Sequence, residues 1–383
     1  MDDVPAGPAS PEPRRPSLTV VIPVRNGGRD FEHCLRRLQE SDYRDYELIV
    51  VDDGSSDQTA ATARRAGARV LVNTAPQGPA AARNQGAREA TAPLIFFLDG
   101  DVIVHPNTLS RAIERFHTDP DLAALFGSYD DAPGHPGIVS QYRNLLHHFV
   151  HQQGDFHDGI RPAHTFWTGC GAIRRDVFLK CGGFDPRLYP RPAIEDIELG
   201  YRITRAGGRI VLARDVLATH MKRWSLVEMV RTDVMRRGVP WMLLLKRTQI
   251  VETDLNVKRK EKLCVALTGL AIVLAIIGLA FPLAWPAAVA AAATMAALNA
   301  PLFRFLARKR GLLFTAAALP LHMLYYCSCG ASVVIALSYW TLADRPRSYW
   351  TTRFRRADPS GRAIPRPAGS RWAVLSRWRT RSR

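Results

Sequence analysis

The stretch LIFFLDGDVIV (Leu94–Val104) decides the fold. An apolar run feeds directly into two aspartates, Asp99 and Asp101, with a glycine between them. A buried strand ending in this way sets two carboxylates at its carboxyl edge, the side on which open α/β sheets bind ligands. Hard divalent cations take carboxylate oxygens and keep positions open for substrate phosphate oxygens, so the pattern suggests a metal-held diphosphate. Taken alone, the tripeptide is equally a strand followed by a solvated Asp-Gly turn.

Two upstream segments repeat the design. LTVVIPVRNGG (Leu18–Gly28) is an apolar, β-branched run ending in a polar, glycine-rich turn, which predicts a first strand and its loop. YELIVVDDGSSD (Tyr46–Asp57) is a second such strand, ending in the acidic pair Asp52 and Asp53. Between them FEHCLRRLQESDY (Phe31–Tyr43) places Phe31, Cys34, Leu35 and Leu38 at helical spacing. Strand, helix and strand at this separation predict a βαβ unit with a parallel sheet. Loops that follow parallel strands share one edge, so Val24–Gly28, Asp52–Asp57 and Asp99–Asp101 should face one crevice.

VVIPVRNGG, VVDDGSSD, GPAAARNQGA (Gly78–Ala87), FLDGDV, TGCGAIRRDVF (Thr168–Phe178), GGFDP (Gly182–Pro186) and EDIELGYRITRAGG (Glu195–Gly208) stand in one order over roughly residues 17–225. In this the chain resembles the family 2 glycosyltransferases. The resemblance implies a GT-A-type, Rossmann-like α/β fold with a mostly parallel sheet flanked by helices. It also implies a nucleotide-sugar donor, a divalent metal (Mg2+ or Mn2+), and transfer with inversion at the anomeric carbon. Carried residue by residue, it puts Pro23, Asp52, Asp53 and Gly54 at the nucleotide and Arg83 at the base or ribose. Asp101 becomes the main metal ligand, Asp99 a ribose or metal contact, and His220 a further metal ligand. Glu195–Asp196 becomes the catalytic pair, with Asp196 as general base. Each position has a plainer use: a capped turn before a helix near Asp57, a solvated arginine, a packed histidine, or acidic residues in a first helical turn.

An inverting transfer is a single in-line displacement, so an acceptor hydroxyl must lose its proton opposite the departing diphosphate. A phosphate acceptor arrives ionised and needs no base, so Asp196 points to a hydroxyl. Polymerising relatives carry Gln-x-x-Arg-Trp further on. VMRRGVPW (Val234–Trp241) stands in its place, with Arg236 and Arg237 available for the diphosphate and Trp241 for stacking on a sugar. The same segment also reads as a basic amphipathic helix resting on a membrane. Loss of the motif favours addition of one sugar over processive synthesis.

The second half of the chain is of different composition. No charged residue occurs from Leu263 to Phe303, a length that accommodates two crossings joined at Pro282–Pro286. Gly311–Ala343 is also uncharged, and its Pro320 suggests a bent or partly interfacial start followed by one crossing. Arg304, Arg308, Lys309 and Arg310 between the stretches predict a cytoplasmic segment, with the catalytic domain on the same side.

The formal charge is +17, and residues 344–383, with twelve arginines and two aspartates, carry most of it. Such a tail is expected to be disordered and drawn to anionic lipid rather than nucleic acid. The first 16 residues show no apolar core of a cleavable signal. Six scattered cysteines lack metal-site spacing.

The expected organisation is a disordered start (1–16), a catalytic domain (17–240), an interfacial linker (241–262), a membrane domain (263–343) and the basic tail (344–383). The expected function is transfer of one sugar to a lipid or lipid-linked acceptor at the cytoplasmic face of the cell membrane. Polyprenyl-phosphate glycosylation, polysaccharide synthesis and a non-catalytic nucleotide-binding subunit are the alternatives.

Overall fold

The computed structural model describes residues 16–248 and 259–342. The N-terminal strands and helices alternate as β1 (Leu18–Val24), α1 (Gly28–Gln39), β2 (Tyr46–Asp52), α2 (Thr59–Arg65), β3 (Arg69–Val72), α3 (Pro79–Glu89) and β4 (Leu94–Leu98). They form the parallel block β3-β2-β1-β4. Phe31, Cys34, Leu35 and Leu38 are the buried face of α1, as their spacing requires. Helix α3 lies close on the sheet because residue 86 is glycine: a Cβ there would stand 2.5 Å from Val21 Cγ1.

The decisive stretch divides into two strands. After the Asp99–Asp101 turn the chain makes β5 (Val102–Val104), then α4 (Thr108–Thr118), β6 (Leu122–Tyr129) and α5 (Ile138–His151). There follow β7 (Ile160–Ala163), β8 (Cys170–Arg174), α6 (Arg175–Lys180), α7 (Glu195–Arg205) and β9 (Arg209–His220). The sheet continues from β4 as β8-β6-β9-β5, with β7 also on β9. β8 runs antiparallel to β4 and β6, while β6 and β9 are parallel, so the sheet is mixed beyond its parallel block. β5 pairs antiparallel with β9, and Val102 sits opposite His220. That pairing brings the end of β9 beside the aspartate turn.

Helix α8 (Leu226–Arg231) passes into a π-helical stretch, Thr232–Gly238, and then α9 (Val239–Thr248). Beyond it stand α10 (Arg259–Gly278), a 3-10 turn (Pro282–Ala284), α11 (Trp285–Leu298) and α12 (Ala300–Leu342). α10 and α12 are long and apolar enough to cross a membrane. Large apolar side chains such as Ile276, Leu279, Leu313 and Val334 face outward, a surface suited to hydrocarbon. α12 is two helices joined at Gly311, whose φ of 84° breaks the helical path, and Pro320 lies inside the second. The break falls at the glycine, nine residues before the proline, and the basic residues before it are helical.

These helices are not a detached anchor. Tyr142, Leu145 and Leu146 of α5 share one buried cluster with Cys264, Met295, Leu302, Leu306 and Tyr326. The Tyr142 hydroxyl lies 2.9 Å from His322 Nδ1. Lys309 pairs with Asp131, and Arg310 donates to Gln141 Oε1 at 2.8 Å and to the Asp131 carbonyl at 3.2 Å. The basic segment therefore sits against the sheet domain. The segments 1–15 and 343–383 and residues 249–258, with the expectations placed on them, lie outside the described residues.

Candidate active site

The carboxyl ends of β1, β2 and β4 meet at one edge. The Val24 carbonyl accepts from Asp53 N at 2.8 Å, Asn26 N donates to Ser55 Oγ at 2.8 Å, and Asn26 Oδ1 accepts from Ser56 N at 2.8 Å. Gly100 packs on Val24: a Cβ there would lie 3.2 Å from Val24 Cγ2. The three loops thus share a crevice, with Gly54 within one of them and Pro23 in β1, one residue before another.

The acidic pair divides its labour. Asp52 Oδ1 accepts from Ser55 N at 2.9 Å. Asp53, expected at the nucleotide, spends both oxygens internally. Oδ1 accepts from Asn73 Nδ2 at 2.9 Å and Gln77 N at 2.8 Å, while Oδ2 accepts from Gly78 N at 2.8 Å. It ties the 73–78 loop to the end of β2, so its direct work is structural. Asp53→Ala strands two backbone N–H groups and should cost roughly 3 kcal/mol of stability, seen as a lowered urea midpoint. An unchanged midpoint would leave Asp53 free for the ligand.

Arg83 is likewise diverted from the base or ribose. Its guanidinium is buried, donating to Asp99 Oδ1 at 2.7 Å and to Glu195 Oε1 at 2.9 Å. Glu195 Oε2 accepts from Ala193 N at 2.9 Å. Arg83 is therefore a bridge from the aspartate turn to the start of α7, and Glu195 holds the bridge rather than facing a substrate. The carboxylate next to it is Asp196, which is half-buried. Its Oδ2 accepts from Thr168 N and Oγ1 at 3.3 and 3.4 Å, and Oδ1 accepts from Ile197 N at 2.8 Å. Burial and then the Glu195 charge push the Asp196 carboxyl up to about 6, against the Arg83 charge and the hydrogen bonds from Thr168 and Ile197.

At the other end of the turn, Asp101 Oδ2 lies 3.5 Å from His220 Nε2, and the Asp101 carbonyl accepts from Met221 N at 2.9 Å. Among the described residues no three His, Cys, Asp or Glu side chains converge as a closed metal cage. What stands here is a two-sided donor set, carboxylate and imidazole. That suits a cation whose remaining positions go to phosphate oxygens. Asp99 is at the same turn, with one oxygen committed to Arg83.

Arg237 belongs to this electrostatic setting. It is exposed at the surface, and partial desolvation of its guanidinium and the like charge of Arg143 lower its pKa, while Asp233, Tyr129 and Asp196 oppose them. Arg236 is its half-buried neighbour in the π-helical stretch. Trp241, expected as a sugar platform, instead packs on Tyr189, Ile194, Tyr201 and Leu244 and donates Nε1–H to the Tyr201 hydroxyl at 3.2 Å. It braces α7, the helix of Asp196. Four participants went unread in the sequence: Thr168, Tyr129, Trp167 and Asn144. Thr168 opens TGCGAIRR and was visible there. The other three carry no local signal, since their partners are remote in sequence.

A mixed sheet led by a parallel block, with an aspartate turn at the switch between β1 and β4, defines a GT-A-type nucleotide-sugar fold. Residues 19–182 match the model of glycosyl transferase family 2. This part of the chain is a family 2 glycosyltransferase domain.

Glycosyltransferase AglE of Haloferax volcanii is 28% identical over 216 residues, 54% of this chain and 68% of that protein. The pre-mycofactocin glycosyltransferase of Mycobacterium tuberculosis is 31% identical over 233 residues, 59% of this chain but 47% of its own length. Validoxylamine A glucosyltransferase of Streptomyces hygroscopicus is 32% identical over 235 residues, 52% of this chain and 54% of that protein. The chain thus spans about half the length of the latter two. The solved mannosyltransferase PcManGT of Pyrobaculum calidifontis, in complex with GDP-Man and Mn2+, superposes with a TM-score of 0.51. It is 21% identical, with 86% of this chain and 89% of that one covered.

Proposed function

We propose that this protein is a membrane-anchored, inverting glycosyltransferase that moves one sugar from a nucleotide-sugar donor to a lipid or lipid-linked acceptor at the cytoplasmic face. The observation that carries the reading is the Asp99–Arg83–Glu195 bridge, which fixes the aspartate turn and the Asp196 carboxylate in one frame. Asp196 takes the acceptor proton. At about 6 its carboxyl is still ionised at neutral pH, and the rise makes it a stronger base than an ordinary aspartate. Asp101 and His220 would hold a divalent cation (Mg2+ or Mn2+), with Asp99 beside them. Such a cation, when bound, neutralises charge growing on the diphosphate. Arg237 offers a further positive charge on the same side. Asp52, Pro23 and Gly54 line the nucleotide end.

The complex of PcManGT with GDP-Man and Mn2+ supports both the donor class and the metal. Two helices of membrane-spanning length, and a basic segment resting on the catalytic domain, support the anchoring and its orientation. The basic tail adds attraction to anionic lipid, and nucleic acid is not a partner in this reading. The test is incubation of the purified protein in detergent with a panel of nucleotide sugars and a membrane lipid extract. A lipid species heavier by one sugar is the expected product. Long sugar ladders would mark a polysaccharide synthase, and no turnover with any donor a non-catalytic subunit.

A further inference from the structure

His220 is buried and held from three sides, with Asp101 on the fourth. Its Nδ1 lies 2.7 Å from Asn144 Oδ1, with Asn144 1% exposed. Its ring stacks on Tyr129 with centroids 4.4 Å apart and planes 7° from parallel. Tyr129 is itself wedged edge-on to Trp167 at 4.7 Å and against His147 at 4.5 Å. Trp224 closes the remaining face at 6.5 Å.

An amide oxygen is an acceptor only, so the proton of a neutral imidazole facing it must sit on Nδ1. Nε2 then carries its lone pair toward Asp101, 3.5 Å away. Two electron-rich atoms at that distance, with no hydrogen between them, are complementary to a cation. Asn144 accepts a cost to keep this orientation, because its Nδ2 is buried without a hydrogen-bond partner among the described residues.

We infer that Asn144 is a positioning residue that sets the His220 tautomer for metal ligation, with Tyr129 fixing the plane of the ring. The inference rests on the reading of His220 as a ligand under the proposed function and adds the group that prepares it. Asn144 lies on α5, two residues after Tyr142, which bonds to His322 of α12. The helix that prepares the ligand is therefore the one that packs on the apolar helices.

The experiment is titration of Mn2+ alone into the full-length protein in detergent, with free Mn2+ read by electron paramagnetic resonance. Outer-shell partners of ligating histidines are worth about 10–100-fold in metal affinity. Asn144→Leu should weaken Mn2+ binding by about that factor, close to the loss in His220→Ala. Asn144→Asp restores an acceptor at Nδ1 and should bind Mn2+ at least as tightly as the natural protein. This variant keeps the inference testable if the leucine does not fold.

Natural affinity in folded Asn144→Leu, with His220→Ala weakened, overturns the role of Asn144 and leaves the ligand reading standing. Weaker binding in Asn144→Asp also overturns it, since the acceptor is retained there. Natural affinity in His220→Ala overturns the ligand reading and this inference together.

Discussion

Asp101→Ala is expected to lower sugar transfer by about a thousandfold, with melting of the protein nearly unchanged. The side chain is over a third exposed, and among the described residues His220 at 3.5 Å is its one close side-chain contact, so its removal costs the fold little. Its loss would leave the diphosphate's growing charge without its principal carboxylate-held counterion. Such stabilisation is worth several kcal/mol, and each 1.4 kcal/mol is about a factor of ten in rate. Steady-state transfer measured with Mn2+, Mg2+ and a chelator checks it. The natural protein in chelator should fall toward the level of the variant. Full transfer by the natural protein or by Asp101→Ala in the presence of a chelator would remove the metal from the mechanism.

Asp196→Asn should lower transfer to a hydroxyl acceptor by roughly 10²–10⁴-fold while donor affinity stays near its natural value. The amide keeps the shape and can still meet Thr168, but it cannot take a proton. With a phosphate acceptor the same change should cost far less, so one variant separates the two acceptor classes.

The pH dependence has a defined sign. Asp196 works ionised, and its carboxyl is raised to about 6, so the rate should fall tenfold per pH unit below that value and level off above it. Stability moves the opposite way. A carboxyl raised from the ordinary 3.8 favours the folded state when protonated, and that contribution is lost as pH rises through about 6. At pH 7 the asparagine variant should therefore be as stable as the natural protein or more so. A variant that is both inactive and destabilised would argue that Asp196 is a structural helix start.

The parts of this fold legible in the sequence are those governed by short periods. Buried runs such as Leu94–Leu98, and the Phe31, Cys34, Leu35, Leu38 face, follow from spacing alone. So does the start of α7 at Glu195. The edge shared by three loops follows from the parallel order of β1, β2 and β4.

What could not be read are partnerships across long stretches of chain. Arg83 meets a carboxylate 112 residues away, and Asp53 meets a loop 20–25 residues on. Neither separation leaves a periodic trace, so both residues suggested ligand contacts. The hydrogen bond of Asn144 to His220 depends on how α5 crosses the end of β9, which no local pattern encodes. The basic segment before Gly311 suggests a side of the membrane by its charge, but its contacts with Asp131 and Gln141, about 170 residues earlier, leave no local trace.

The cluster shared by α5 and the apolar helices has a practical outcome for anyone shortening this chain. Cutting after Thr248 would uncover Tyr142, Leu145 and Leu146, which α10 and α12 otherwise seclude from water. It would also release the helix on which Asn144 is mounted. A fragment of that length would be prone to aggregate, and the helix beside the crevice would lose its backing. Folding of the sheet domain and packing of the long apolar helices are in this molecule one problem, so the two are best prepared together.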